Sequence, residues 1–276
     1  MGRKLGQHFL TDPAILDRIV DALDPLPTDL VLEIGPGKGT LTRRLAGRVG
    51  LVVAVEKDEG LARQLNSEWR AEGTDTVQVS VVHGDALRID WGQLVAEQAE
   101  NSVPSTQYSP YKVIGNIPYY ITSPLIDKAL TPPQPERIVF LMQKEVADRL
   151  SAEPGTKTYG ALSVGVQAVA DAERLFTVKR GAFSPPPAVD SAVVRLKPKD
   201  EPLVTPEEQP RFRTFVQAMF SRRRKQIVGI VRAVASLPPD RALEALARVQ
   251  VDPQARPETL APETIVRLFR ALQSAG

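Results

Sequence analysis

Three short stretches carry residue types that can do chemistry together. The first is "NIPYY", Asn116 to Tyr120, at the end of the apolar run "YKVIG". There the Asn116 side-chain oxygen and the Ile117 carbonyl can each accept one hydrogen of an amine. Pro118 fixes the backbone so that this carbonyl points outward, and Tyr119 offers a ring face for stacking. The second stretch, "LEIGPGKGTLT", sets Gly35, Gly37 and Gly39 between an apolar run and a helical pattern. Such a turn lets a ligand approach the backbone and meet the amides of a helix start. The third feature is a pair of acids. Glu56 ends "LVVAVE" 21 residues after Gly35, and Asp85 follows "VQVSVVH" within "HGDAL". Carboxylates so placed accept from ribose hydroxyls and from an exocyclic ring amine.

These stretches need a scaffold that brings strand ends together. From Leu30 the chain alternates short apolar runs with helical patterns, the mark of a parallel sheet covered by helices. Strands are expected at 30–34, 51–56, 77–83, 111–116 and 136–143, with helices near 39–47, 58–71, 123–130 and 143–151. After a further helix, "ALSVGVQAVA", the runs "AERLFTV" and "SAVVRLK" flank "KRGAFSPPPAVD" with no helix between them. They are expected to close a seven-stranded sheet as an antiparallel hairpin. "EQAENSVPSTQYSP" reads as an exposed loop, and "DEPLVTPEEQP" as a linker. Beyond it, apolar residues recur at helical spacing, so residues 1–199 and 200–276 are expected as a sheet domain and a small all-helical domain.

Bulk composition narrows the chemistry. The 276 residues hold no cysteine, which removes disulfides, thiolate metal sites and thiol nucleophiles; no metal is expected. No apolar run is long enough for a membrane span and no signal peptide is present, so a cytoplasmic enzyme is expected. The net charge is only +2, but it is unevenly spread. Arg174, Lys179, Arg180, Arg195, Lys197 and Lys199 face only Asp190 in their stretch, and "SRRRK" forms a second basic knot. Such runs suit a polyanion, or else are simply a solvated face.

The glycine turn fits neither common phosphate motif. A dinucleotide fingerprint needs glycine where Thr40 stands, and a P-loop needs Ser or Thr where Gly39 follows Lys38. Glu33, Gly35, Glu56 and Asp85 at successive strand ends suit instead a nucleoside without a pyrophosphate, whose cationic tail is welcome near carboxylates. S-adenosylmethionine meets that description. The plain alternatives are a tight turn, and a proline-bearing loop with packed tyrosines.

With these stretches in place, the chain resembles the ribosomal RNA adenine N6,N6-dimethyltransferases, most closely the KsgA type acting on small-subunit rRNA. "GQHFLTD", "EIGPGKGTLT", "VEKD", "GDAL", "NIPYYITSPL", "MQKEVADRL", "YGALSV" and "FSPPPAVDSAVVRL" occur in the family's order, across nearly the whole length. The resemblance implies a class I S-adenosylmethionine-dependent methyltransferase, an α/β Rossmann-like fold with a seven-stranded mixed sheet and a helical C-terminal domain. It implies His8, Leu10, Gly35, Gly37, Glu56, Lys57, Asp85, Ala86 and Asn116 at the cofactor. Asn116, Ile117, Pro118 and Tyr119 would hold the target adenine, with Phe183 sandwiching the base opposite Tyr119; read from the residues alone, Phe183 is a hydrophobic hairpin anchor. Position 8 is His where many relatives have Asn, and Tyr120 stands where Asn is frequent. Arg3, Lys4, Lys179, Arg180, Arg222, Arg223, Arg224 and Lys225 would meet RNA. The implied partner is small-subunit rRNA within an assembling 30S particle, met by a monomer. A large-subunit rRNA methyltransferase, a mainly binding assembly factor and an NAD-dependent oxidoreductase are the rival readings.

Overall fold

The structure, a computed structural model, describes residues 8–72, 78–102 and 111–273. A two-residue strand β1 (Phe9–Leu10) leads into helix α1 (Pro13–Ala22). Its start is set locally, because Asp12 accepts the Ile15 N–H at 3.2 Å and Pro13 brings a helical φ to the first turn. Leu16, Ile19 and Val20 form its buried stripe. There follow β2 (Leu30–Ile34), α2 (Thr42–Leu45), β3 (Leu51–Glu56), α3 (Glu59–Glu72), β4 (Gln78–His83) and α4 (Trp91–Ser102). Next come β5 (Lys112–Asn116), a 3-10 turn over Tyr119–Ile121, α5 (Thr122–Ala129), β6 (Arg137–Gln143) and α6 (Lys144–Leu150). Then α7 (Ala161–Gln167), β7 (Ala170–Val178), β8 (Phe183–Ser184) and β9 (Ser191–Pro198) precede α8 (Gln209–Phe220), α9 (Ile227–Ala235), α10 (Pro239–Arg248) and α11 (Pro262–Gln273).

Seven strands form one sheet in the order β4-β3-β2-β5-β6-β9-β7. The pairs among β2 to β6 are parallel, and β9 is antiparallel to β6. Every residue of β2 and β3 is buried, the burial that makes inner parallel strands read as continuous apolar runs. The strand order reverses between β2 and β5, and ligands of open α/β sheets bind beyond the strand ends at such a point. The register pairs Ile34 with Gly115, so the glycine turn after β2 and the "NIPY" loop after β5 leave the sheet side by side. A second, two-stranded sheet joins β1 to β8, pairing Phe9 with Ser184 and Leu10 with Phe183.

The contacts divide the chain into two compact units: Met1–Ala147 with Glu173–Pro198, and Asp148–Ala172 with Lys199–Gly276. This corrects the expected boundary at 199, since residues 148–172 group with the helices. Tyr159 supplies the reason. It is fully buried, donates to the Leu260 carbonyl at 2.8 Å and packs edge-on to Phe220 at 5.9 Å. In the same unit Phe212 and Phe215 meet Phe269 at 5.4 and 5.5 Å.

Two helices were absent from the expected pattern, α1 and α4. Helix α4 also overlaps the start of the segment read as an exposed loop; its Trp91, Leu94 and Val95 are buried. In the first unit Lys112 is 1% exposed, its ammonium donating to the Asp29 carboxylate and the Asp24 carbonyl, each at 2.7 Å. A buried charge is tolerated because it is ion-paired to a carboxylate and hydrogen-bonded to a carbonyl. Among the described residues no helix is long and apolar enough to cross a membrane.

Candidate active site

One cleft at the β2/β5 switch point is bordered by His8, Leu10, Gly35, Gly37, Glu56, Lys57, Asp85, Ala86 and the loop Asn116–Tyr119. It gathers all the expected cofactor and base-holding residues except Phe183. The glycine turn is possible because Gly35, Gly37 and Gly39 have φ of +68°, +57° and +73°. At Gly37 a side chain would also collide, since a Cβ there would lie 3.0 Å from the Phe9 ring.

Each acid at the cleft has its own set of hydrogen-bond partners. Glu56, 5% exposed, accepts the Gly37 N–H on Oε2 at 3.0 Å and the Asp58 N–H on Oε1 at 2.8 Å. It thus shapes the turn and keeps lone pairs for a ligand. Asp85 accepts from the Lys57 ammonium at 2.8 Å and from the Leu87 N–H at 3.0 Å. The lysine bond holds its carboxyl below the ordinary range, and the same bond raises Lys57. Glu33 is 1% exposed and accepts from the Thr42 hydroxyl at 2.7 Å. Burial pushes its carboxyl up to about 7, against the lowering effect of that hydroxyl.

The Glu33 shift has a measurable consequence. A carboxyl raised in the folded state contributes most to stability below its unfolded value near 4.5, and that contribution is lost as pH rises to about 7. Glu33→Gln is therefore expected to match the wild type near pH 4.5 and to be more stable above pH 7, by about 3 kcal/mol. Thermal unfolding of the cofactor-free protein across that range reads the difference; parallel pH profiles would show that Glu33 is not penalised by burial.

In the loop after β5 the Asn116 amide donates to the His8 carbonyl at 3.1 Å. Tyr119 shares a 2.8 Å hydrogen bond with the Ser191 hydroxyl, and its ring lies 6.2 Å from the His8 ring at an interplanar angle of 29°. Burial raises the Tyr119 phenol above its usual value, so the ring is neutral at physiological pH. The Pro118 carbonyl is taken by the Ile121 N–H at 3.1 Å and approached by the Thr122 hydroxyl. Among the described residues no donor is bonded to the Ile117 carbonyl. Tyr120, 60% exposed, stands at the rim.

Some expected residues lie elsewhere. Phe183 is 4% exposed, packs in the core with Leu10 and Leu16, and is not on the cleft wall. Its pairing with Leu10 in β1 makes it a hydrophobic anchor of the hairpin, directly behind the cleft-lining Leu10 and Leu16. Arg223 is also reassigned: its guanidinium bonds Glu258 at 2.8 Å and the Lys157 carbonyl at 3.3 Å. Arg222, Arg224 and Lys225 are exposed around it. Lys179 is exposed but ion-paired with Asp190 at 2.9 Å, and Asp190 also accepts the Arg180 N–H. The Lys179 bond holds the Asp190 carboxyl below its usual range. Arg3 and Lys4 lie outside the described residues. Sequence reasoning missed three supports, namely Phe9, Thr42 and Ser191. Ser191 sits in the quoted "FSPPPAVDSAVVRL" stretch, but nothing local said that its hydroxyl reaches Tyr119.

The cleft fits a nucleoside with a cationic tail. Carboxyls from three strand ends line it, and Gly35 brings the glycine turn against the Asn116 carbonyl, which a Cβ there would meet at 4.0 Å. A sheet of this order with a glycine turn and acids at its strand ends defines a class I S-adenosylmethionine-dependent methyltransferase. A family model described as ribosomal RNA adenine dimethylase matches residues 1–274. The ribosomal RNA small subunit methyltransferase A of Pelotomaculum thermopropionicum is 42% identical over 281 residues, covering 99% of this chain and 92% of its own. Its namesake from a Geobacillus species is 40% identical, covering 98% and 91%. A solved dimethyladenosine transferase from Plasmodium falciparum aligns with a TM-score of 0.81 at 27% identity over 98% of both chains. The 23S rRNA methyltransferase ErmE aligns at 0.70 and 30%, over 96% and 99%. The chain belongs to the ribosomal RNA adenine dimethylase family.

Proposed function

We propose that this chain methylates N6 of two adjacent adenosines in a small-subunit (16S) rRNA hairpin, giving N6,N6-dimethyladenosines during small-subunit biogenesis. One observation carries the reading: the glycine turn with its two acids and the Asn116–Tyr119 loop share one cleft. The two small-subunit methyltransferases at 42% and 40% identity favour the small-subunit substrate over the large-subunit one. When bound, S-adenosylmethionine would supply an electrophilic methyl group on a sulfonium. Glu56 would hold its ribose and Asp85 its adenine, with the His8–Leu10 arm bordering the same cleft.

The target amine is a poor nucleophile, because its lone pair is delocalised into the adenine ring. Asn116 Oδ1 and the Ile117 carbonyl each accept one of its hydrogens, which favours a pyramidal nitrogen aimed along the cleft. Tyr119, pinned by Ser191, offers the flipped base its ring face. No strong base is required, since the proton leaves once the nitrogen carries positive charge. Positioning and hydrogen bonding supply the acceleration. The test is mass spectrometry of ribosomal RNA incubated with enzyme and labelled cofactor. Label is expected as dimethyladenosine in small-subunit RNA; label confined to large-subunit RNA would overturn the proposal.

The finer partner belongs to the same proposal: one copy of the chain on an assembling 30S particle, held by phosphate contacts. The exposed Arg222, Arg224 and Lys225 support it. Changing all three to alanine is expected to flatten the slope of log affinity against log salt by about 2. Arg223→Ala, losing a structural tie to Glu258, is expected instead to lower thermal stability by about 1 kcal/mol. Filter binding over a salt series checks the first, and an unchanged slope would remove these residues from the RNA surface.

A further inference from the structure

We propose that the main-chain carbonyl of His8 is the positioning group that decides which way the Asn116 carboxamide faces, so that the N-terminal arm completes the amine-accepting site. The inference rests on the amine-holding role given to Asn116 above. A carboxamide has two ends of nearly equal shape and opposite hydrogen-bonding sense; only the NH2 end donates. The His8 carbonyl has no proton, so the end that meets it at 3.1 Å must be Nδ2. Oδ1 is thereby left as the accepting end of the group, which the amine-holding role pairs with the Ile117 carbonyl. A reversed carboxamide would set oxygen against oxygen at His8 and present a donor to an incoming donor.

For this to work the carbonyl must itself be held, and the arm is tied on both sides of it. On the hairpin side, Phe9 and Leu10 pair with Ser184 and Phe183. The Thr11 N–H and hydroxyl both donate to the Ala182 carbonyl, at 2.9 and 3.1 Å. The His8 ring donates from Nδ1 to the Pro185 carbonyl at 2.9 Å and stacks beside Tyr119. On the cofactor side, the Phe9 ring rests against Gly37 with the Lys38 ammonium 4.9 Å from its centre. The buried Phe183 anchors the strand that holds the arm. The arm therefore links the glycine turn to the orientation of the amine acceptor.

The discriminating variant is Asn116→Asp, which keeps size and acceptors but cannot donate when ionised. If acceptors alone mattered, it would work. With His8 setting the polarity, a carboxylate oxygen faces the carbonyl, and kcat at saturating cofactor is expected to fall about 100-fold. The KM for RNA and the cofactor Kd should each stay within about three-fold, which also reports an intact fold. Phe9→Ala, which loosens the arm, should lower kcat about ten-fold in the wild type and less than about two-fold in the Asn116→Asp background. A kcat for Asn116→Asp within about three-fold of wild type would overturn the inference, as would equal effects of Phe9→Ala in both backgrounds. Asn116→Ala separates the two levels. If it stays active, the amine-holding role itself fails; if it is dead while Asn116→Asp is fully active, only the His8 inference fails.

Discussion

Replacing Asn116 with alanine is expected to lower kcat by about 10³-fold while leaving cofactor affinity within about three-fold of wild type. Removing one preorganised hydrogen-bonding group from a site of charge development has an effect of about 10² to 10³ in comparable enzymes. The upper end applies here because the adenine amine must lose its conjugation before it can attack, and Asn116 supplies one of only two proposed acceptors. The fold should tolerate the change. The side chain's recorded bond is to the His8 carbonyl, whose loss corresponds to about 1 kcal/mol. Single-turnover methylation of small-subunit rRNA particles measures the rate, and calorimetry with S-adenosylmethionine measures the affinity. A variant retaining a tenth of the wild-type rate would remove Asn116 from the chemistry.

Much of the sheet was legible because inner parallel strands, covered on both faces, must be apolar throughout. "LVLEI" and "LVVAVE" became β2 and β3 with the expected bounds. Helix α1 is equally encoded, by Asp12, Pro13 and the stripe Leu16, Ile19, Val20. Helix α4 was hidden by its own composition: only Trp91, Leu94 and Val95 are buried at its start, and its later turns are polar.

What stayed out of reach depended on partners distant in the chain. Nothing near Tyr159 announces Leu260, about a hundred residues away, so the grouping of 148–172 with the helical unit could not be read locally. Arg222, Arg223 and Arg224 look alike in sequence, but only the middle one turns to Glu258 and the Lys157 carbonyl. Phe183 differs from these: the residues alone give a hairpin anchor, in line with its burial beside Leu10, and the base-sandwiching role comes only from the resemblance. The cleft itself was legible because its residues close strands, and strand ends in a parallel sheet converge by topology alone.

Glu56→Gln, nearly identical in shape, is expected to weaken S-adenosylmethionine binding by about 10² to 10³-fold. The carboxylate accepts a backbone N–H on each oxygen, from Gly37 and from Asp58. An amide has only one accepting end, so its NH2 group must meet one of these donors head-on. If the Gly37 N–H loses its partner, the left-handed turn that forms the cofactor wall is released. If the Asp58 N–H does, the start of α3 shifts. Either way the hydrogen bonds to a charged acceptor that would hold the ribose are lost as well, and such bonds are worth about 1.5 to 3 kcal/mol each. The rate should behave differently, because Glu56 holds the glycine turn through the Gly37 N–H, whereas Asn116 is given the target amine. At saturating cofactor, kcat for Glu56→Gln should stay within about ten-fold of wild type, the reverse of the pattern at Asn116. Calorimetry and single-turnover rates on the two variants together test this division of labour. Loss of kcat with unchanged cofactor Kd in Glu56→Gln would place this acid with the target base and not with the cofactor.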